Sequence, residues 1–191
     1  MDELAMLEYS LDELRRVVIA LDDTQMDTVS NCAPWTVRQL ASHALNNQLL
    51  WAGMVTGQEL VAADVTMGAV AYDGDLAEFA DDVARRALAL WHTDGVLSQT
   101  HVTPLGELPG SIVINFPTID ALAHSWDISA SVGDAIEFAP EEIPAISAVV
   151  DATCTDGARD HGLIEPATEP PVDATDTERL MALAGRRIPR E

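Results

Sequence analysis

Residues 117–127 read Pro-Thr-Ile-Asp-Ala-Leu-Ala-His-Ser-Trp-Asp and predict the opening turns of a helix. Pro117 suits a first turn, because the N–H that proline lacks would have no helical partner there. Asp120 and His124 are four residues apart, which places both side chains on one face, one turn apart. A carboxylate and an imidazole at this spacing can reach one divalent cation without bending the backbone. Since two ligands do not define a metal site, a third ligand is expected from another segment.

Asp127 follows three residues after His124 and lies on the same stripe of the predicted helix. The stripe borders an apolar face that consists of Leu122, Ala123, Trp126 and Ala130. Two roles are open to Asp127: it orients a ligand histidine from behind, or it forms an ion pair with an arginine. We favour the structural role for this residue.

The length and composition are those of a globular protein with one domain, spanning residues 1–191. The chain has 191 residues, of which 48% are apolar, enough for a sizeable core. Its uninterrupted apolar runs are far shorter than the roughly 20 residues that cross a bilayer. The acidic start, Met-Asp-Glu-Leu-Ala, lacks the layout of a signal peptide. A cytoplasmic location is therefore expected.

The charge of the chain restricts its partners. The formal net charge is −22, and the ten basic residues are all arginine. Nucleic acids and anionic membrane surfaces are not expected partners, because both require a basic footprint. Mechanisms that need a lysine amine are excluded as well. We interpret the acidity as a device for solubility, in preference to an acidic surface for a partner.

The two cysteines, Cys32 and Cys154, form neither a disulfide framework nor a CxxC pair. We expect both to be small buried hydrophobic residues, and neither a metal ligand nor a nucleophile.

The pattern of apolar residues predicts a helical protein. Leucine and valine recur at helical spacing in the first segment, and Asp2 is its candidate N-cap. Gly57 is placed to end the second helix. Helices are predicted over 3–21, 35–55, 75–92, 117–131, 140–159 and 178–184, the last after a capping box from Thr175 to Glu178. Segment 58–74 has no clear period. The β-branched runs 100–103 and 111–114 predict a short hairpin. The expected fold is all-α, a four-helix bundle with a small β-hairpin insertion and a C-terminal helical extension.

The chain has five histidines, and the four besides His124 are available as the third ligand. His92 and His161 fall at a helix end and in a loop, where surface positions are expected, and His101 lies on a short strand of undetermined facing. His43 lies mid-helix beside an apolar arc, as His124 does. A lone histidine in that setting is usually a hydrogen-bonded core residue.

The carboxylate of Asp120 favours a metal ligand over a hydrogen-bonded core histidine, because an unpaired charge beside a core is costly to bury. A cation shared by His43, Asp120 and His124 would remove that cost. Two histidines and one carboxylate leave coordination positions open, which is typical of a working metal. Zinc, nickel, iron and manganese all suit these ligands, and zinc is our first choice.

Two segments together resemble a known family. They are Cys-Ala-Pro-Trp-Thr-Val-Arg-Gln-Leu-Ala-Ser-His, residues 32–43, and Thr-Ile-Asp-Ala-Leu-Ala-His-Ser-Trp-Asp, residues 118–127. Both are similar to the DinB-like metal-binding superfamily, in the actinobacterial branch named for the N-terminal domain of mycothiol-dependent maleylpyruvate isomerase. The ending Arg-Leu-Met-Ala-Leu-Ala-Gly-Arg, residues 179–186, resembles the tail of single-domain members of that branch.

The resemblance implies a four-helix bundle with one divalent metal, whose ligands map onto His43, Asp120 and His124. The isomerase has glutamate at the carboxylate position, where this chain has the shorter Asp120. Its usual Pro-Gly-Trp corresponds here to Ala-Pro-Trp, residues 33–35. The isomerase also has a separate C-terminal domain, which this chain is too short to contain in full. Members of the family tend to use a low-molecular-weight thiol such as mycothiol.

Two functions of different classes follow. The first is a metal- and thiol-dependent transferase or isomerase that acts on a small electrophile, with the residues for acid–base catalysis unassigned. The second is a non-catalytic metal- or ligand-binding bundle linked to stress. A third, weaker interpretation is a vestigial metal site. A homodimer is expected from the habit of the family.

Overall fold

A computed structural model describes residues 1–62 and 70–189 and confirms a mostly helical fold. Residues 63–69, within the segment that has no clear period, lie outside the described residues. The helices are α1 (Glu3–Ile19), α2 (Val37–Thr56), α3 (Leu76–Trp91), α4 (Gly110–Val113), α5 (Asn115–Ser131), α6 (Ile143–Thr153), α7 (Asp156–Asp160) and α8 (Asp176–Leu183). Two short strands, β1 (Thr100–Thr103) and β2 (Gly106–Pro109), lie between α3 and α4.

The four long helices α1, α2, α3 and α5 close into a bundle. Helix α1 packs against α3 and α5, and α2 packs against the same two helices. The interior is apolar: Leu7, Leu14, Leu40 and Leu122 are each completely buried. The periodic leucines of the sequence therefore form the core of the predicted four-helix bundle.

Local capping sets the boundaries of these helices. The Asp2 carboxylate accepts a hydrogen bond from the Ala5 amide at 2.8 Å, which confirms the predicted N-cap. Gly57 ends α2 in the left-handed conformation, at a φ of 69°. Helix α2 begins at Val37, two residues later than predicted, because Thr36 forms a capping box with Gln39. Helix α1 ends at Ile19, two residues before the predicted end.

The structure contains the predicted hairpin, but the prediction of its second strand is wrong. Strand β1 pairs with β2, so the partner is residues 106–109 and not 111–114. Residues 111–114 instead belong to the turn of α4 and the start of α5. Val113 and Ile114 are completely buried there, so tertiary packing outweighs the strand propensity of β-branched residues.

The C-terminal extension is also divided differently from the prediction. The single helix expected over 140–159 is two helices, α6 and α7, because the Thr155 hydroxyl caps a new helix by accepting from the Ala158 amide. Helix α8 has the predicted capping box, in which Thr175 and Glu178 satisfy each other's amides. Helix α6 packs on α5, and α8 packs on α6. The extension therefore lies against the helix that carries Asp120 and His124.

Within residues 1–62 and 70–189, none of the helices has both the length and the apolarity needed to span a membrane.

Candidate metal centre

Helix α5 presents Asp120 and His124 as the spacing predicts. The His124 Nε2 atom lies 3.5 Å from Asp120 Oδ1, and both side chains are largely buried, at 9% and 16% exposure. This proximity follows from their separation of one helical turn.

Helix α2 brings the third predicted residue, His43, to the same place. The rings of His43 and His124 meet edge to face, with their centroids 5.1 Å apart. One potential ligand atom from each of His43, Asp120 and His124 lies within 4.8 Å of the other two. The indole of Trp35 also packs against the His43 ring, at a centroid distance of 4.8 Å. Two facing helices of the bundle thus bring the three side chains together.

Asp127 is the most enclosed charge of this region, with an exposure of 0%. Its Oδ2 accepts hydrogen bonds from His124 Nδ1 at 3.0 Å and from Arg186 Nε at 3.1 Å. Its Oδ1 accepts from Asn31 Nδ2 at 2.9 Å. The ion pair with an arginine considered from the sequence is therefore present, and the carboxylate also contacts His124.

Cys32 corrects one expectation from the sequence. Its thiol is only half-buried and donates to Asp127 Oδ2 at 3.3 Å, so it is part of a polar cluster and not a simple hydrophobic residue. Cys32, His124 and Asp127 form a second group with ligand atoms within 4.8 Å. Cys154 is also half-buried and packs against apolar residues, and burial raises the pKa of its thiol.

Charge distinguishes the two groups as cation sites. Asp127 already has a positive partner in Arg186, and a cation bound beside it would be repelled by the guanidinium. Among the described residues Asp120 forms no ion pair with an arginine; its ion-pair partner is His124, although the charge of Arg186 also acts on it from further away. Among the described residues, direct contact with Arg186 therefore disfavours a cation beside Asp127, whereas Asp120 has no such contact.

The buried charges act strongly on one another when no metal is present. Burial alone would lower the pKa of His124, but the charge of Asp120 and the hydrogen bond to Asp127 outweigh it and raise that pKa to about 10. Burial would raise the pKa of Asp127, but the charge of Arg186 and the hydrogen bond from His124 hold it far below its usual range. These interactions favour the protonated form of His124, and a bound cation would compete with that proton.

Gln48 is a residue of the site that the sequence does not indicate. It lies on α2, five residues after His43, and is 1% exposed. Its Nε2 donates to Asp120 Oδ2 and to the Pro117 carbonyl, each at 3.2 Å. Asn31 and Arg186 are likewise missed, since they come from a loop and from the C-terminal tail.

The remaining histidines lie apart from this cluster. His92 and His161 are exposed, as predicted. His101 is half-buried and donates from Nε2 to the Val96 carbonyl at 2.7 Å.

The donor set suits a divalent transition metal. Two imidazoles and a carboxylate are typical ligands of zinc and its neighbours in the first transition series. His124 Nδ1 donates to a carboxylate, which leaves Nε2 on the side of Asp120, and this arrangement is usual behind a ligand histidine. Fold and site together define a helical bundle with a candidate centre for one divalent metal.

Comparison with known proteins identifies the family. The model of the mycothiol maleylpyruvate isomerase N-terminal domain matches residues 7–129, more than half of the chain. The chain therefore belongs to this family. Two uncharacterized proteins of Mycobacterium tuberculosis, MT0763 of strain CDC 1551 / Oshkosh and Rv0738 of strain ATCC 25618 / H37Rv, are each 26% identical over 98% of this chain and 100% of their own length.

Solved structures show the same fold. The crystal structure of the mycothiol-dependent maleylpyruvate isomerase superposes with a TM-score of 0.61 and 15% identity, over 80% of this chain and 66% of that one. The structure of a histidine-to-alanine mutant of that isomerase gives the same TM-score at 14% identity. The chain thus matches just under two thirds of the isomerase, and at this identity the likeness concerns the fold alone.

Proposed function

We propose that this protein binds one divalent metal through His43, Asp120 and His124, and that it is a metal- and thiol-dependent transferase or isomerase acting on a small electrophile. The observation that supports the metal centre is the convergence of three ligand-type side chains, from two helices, within 4.8 Å. Membership of a family named for a mycothiol-dependent isomerase supports the use of a thiol.

The side chains of the centre have separable tasks. His43 and His124 would supply neutral nitrogen ligands, and Asp120 a negatively charged oxygen that offsets part of the charge of the ion. Asp127 accepts a hydrogen bond from Nδ1–H of His124. This would fix the proton on Nδ1, so that the lone pair of Nε2 is available to the ion. The indole of Trp35 packs against the ring of His43.

A bound divalent cation would lower the pKa of a thiol placed against it, which makes the thiolate available near neutral pH. In the proposed reaction the thiol sulfur forms a bond to an electrophilic carbon. In a transfer the sulfur–carbon bond remains and the thiol proton goes to the substrate or its leaving group. In an isomerisation the bond breaks again and the thiol is returned.

Metal analysis and a thiol assay test this proposal. We expect about one zinc ion per purified chain and its loss in His43→Ala and His124→Ala, whereas His92→Ala, which changes an exposed histidine, retains it. With mycothiol and monochlorobimane or maleylpyruvate, we expect turnover that a chelator abolishes and zinc restores. A His124→Ala protein with full metal content would contradict the ligand assignment.

Stoichiometric metal without turnover of either electrophile would favour the non-catalytic alternative, a metal- or ligand-binding bundle. Nickel, iron or manganese in place of zinc would retain the site and change the identity of its ion. A homodimer remains a prediction, to be measured by sedimentation.

A further inference from the structure

Gln48 is a polar side chain that is almost completely buried on a helix whose other buried residues are mostly apolar. Its exposure is 1%, and it lies on α2 among residues that pack against α5. Its Oε1 has no hydrogen-bond partner among the described residues. Burying an unsatisfied carbonyl oxygen costs free energy, which an apolar side chain of similar length would avoid. The position therefore calls for an explanation other than packing.

The contacts of the amide fix its orientation. Nε2 lies 3.2 Å from both the Pro117 carbonyl oxygen and Asp120 Oδ2. A carbonyl and an ionised carboxylate can only accept, so the NH₂ group must face them and Oε1 must point away. The reversed amide would place three acceptor oxygens against one another. Gln48 thus connects α2 to the first turn of α5 and to a candidate ligand.

This hydrogen bond divides the two oxygens of Asp120 between different tasks. Oδ2 is held by Gln48, whereas Oδ1 lies 3.5 Å from His124 Nε2, on the side of the candidate centre. Asp127 is held by three residues besides His124, whereas among the described residues Asp120 contacts only Gln48 and His124 through hydrogen bonds or ion pairs. Among the described contacts, the rotation of the Asp120 carboxylate is therefore restrained mainly by one neutral amide.

We propose that Gln48 is a positioning residue for the metal centre: by donating to Oδ2, it orients Asp120 so that Oδ1 alone faces the ion. The inference rests on the proposed metal site. Hydrogen bonds of this kind to ligating carboxylates fix their orientation, and their loss typically costs 10- to 100-fold in metal affinity.

The test compares Gln48→Met with wild-type protein and with Asn47→Met. Methionine keeps the length of the side chain and removes the amide, and Asn47 is the half-buried neighbour on the same helix, outside the contacts described for the site. Competition with a chromophoric chelator measures the affinity for zinc. We expect Gln48→Met to bind zinc about 10- to 100-fold more weakly, and Asn47→Met to bind as the wild type does.

A spectroscopic measurement distinguishes a role of Gln48 in orienting Asp120 from a role in stabilising the fold alone. The visible absorption of the cobalt-substituted protein reports the number and arrangement of ligands. We expect a changed cobalt spectrum in Gln48→Met, because a released carboxylate can bind through both oxygens. A residue with only a structural role would lower the melting temperature and leave the spectrum of the folded protein unchanged.

A measurement on the wild type covers the case in which Gln48→Met does not fold. The side-chain NH₂ signals of Gln48, assigned by NMR, should shift when zinc binds, whereas those of Asn47 should not. Wild-type zinc affinity and cobalt spectrum in Gln48→Met, or Gln48 signals that zinc does not move, would overturn this inference alone. A wild-type protein that binds no metal would overturn the proposed centre and this inference with it.

Discussion

At the scale of single residues, His124 has a different partner for each ring nitrogen. Its Nδ1 lies 3.0 Å from a carboxylate oxygen of Asp127, which can only accept, so Nδ1 carries the proton. Its Nε2 lies on the side of Asp120 and His43. The ring therefore connects a structural ion pair, Asp127 with Arg186, to the candidate metal centre.

We predict that Asp127→Asn weakens both stability and metal binding. An amide cannot offset the charge of Arg186, and its NH₂ group would face at least one donor that now binds a carboxylate oxygen. Breaking a buried ion pair costs about 3–5 kcal/mol, so we expect a loss of that size in the free energy of unfolding, measured with urea. Zinc affinity should fall about 10- to 100-fold.

The matched control is Asp151→Asn, which changes an exposed aspartate on α6. Its free energy of unfolding should stay within about 0.5 kcal/mol of the wild type. Equal stability of the two variants would show that the pair of Asp127 and Arg186 contributes nothing to the fold.

At the scale of elements, the C-terminal extension joins the bundle through the turn after α8. Gly185 adopts a φ of 86°, and the backbone then turns so that Arg186 reaches Asp127. The tail is held further by Arg159 Nη2, which donates to the Leu183 carbonyl at 2.7 Å. The extension lies beyond residues 7–129, the part that the family model matches, yet it supplies a charge to the site.

Gly185→Ala should therefore destabilise the protein more than the same substitution at a glycine that also has a positive φ but has free space around its Cβ position. A Cβ at Gly185 would lie 2.7 Å from the Glu165 backbone oxygen, in addition to the cost of a positive φ. We expect a loss of about 2–4 kcal/mol in the free energy of unfolding. Gly133, with a φ of 81° and nothing within 4 Å of its Cβ position, provides the control. Gly133→Ala should lose only about 1–2 kcal/mol.

Urea unfolding of both variants measures the difference. Equal losses in Gly185→Ala and Gly133→Ala would contradict the tight packing of the turn against Glu165.

At the scale of the whole molecule, metal binding and folding should be coupled, because the ligands come from two helices of the bundle. His43 on α2 and the pair on α5 approach one another only when these helices pack. A ligand that binds only the folded state, at 100 times its dissociation constant, stabilises that state by about 2.7 kcal/mol.

We predict that zinc raises the melting temperature of chelator-treated protein by about 5–10 °C at such a concentration. Magnesium should have little effect, because it prefers oxygen ligands in an octahedral arrangement. His43→Ala should lose the response to zinc. An equal rise in His43→Ala would show that zinc binds elsewhere, for example among the many surface carboxylates of a chain with net charge −22.

The sequence alone determined the features that depend on neighbours along the chain. The spacing of Asp120 and His124 placed them on one helical face, and the leucine pattern of α1 and the caps at Asp2 and Thr175 predicted helices that the structure contains. Such features are predictable because helical periodicity and capping involve residues only a few positions apart.

Only the tertiary structure decided which distant side chains meet. Gln48 contacts Asp120 across 72 positions, Cys32 contacts Asp127 across 95, and Arg186 contacts Asp127 across 59. It also decided that Val113 enters a helix, since burial in the core outweighed its strand propensity. These outcomes depend on how whole helices pack. Packing is the sum of many weak contacts between segments that are far apart in the sequence, so local sequence patterns do not reveal it.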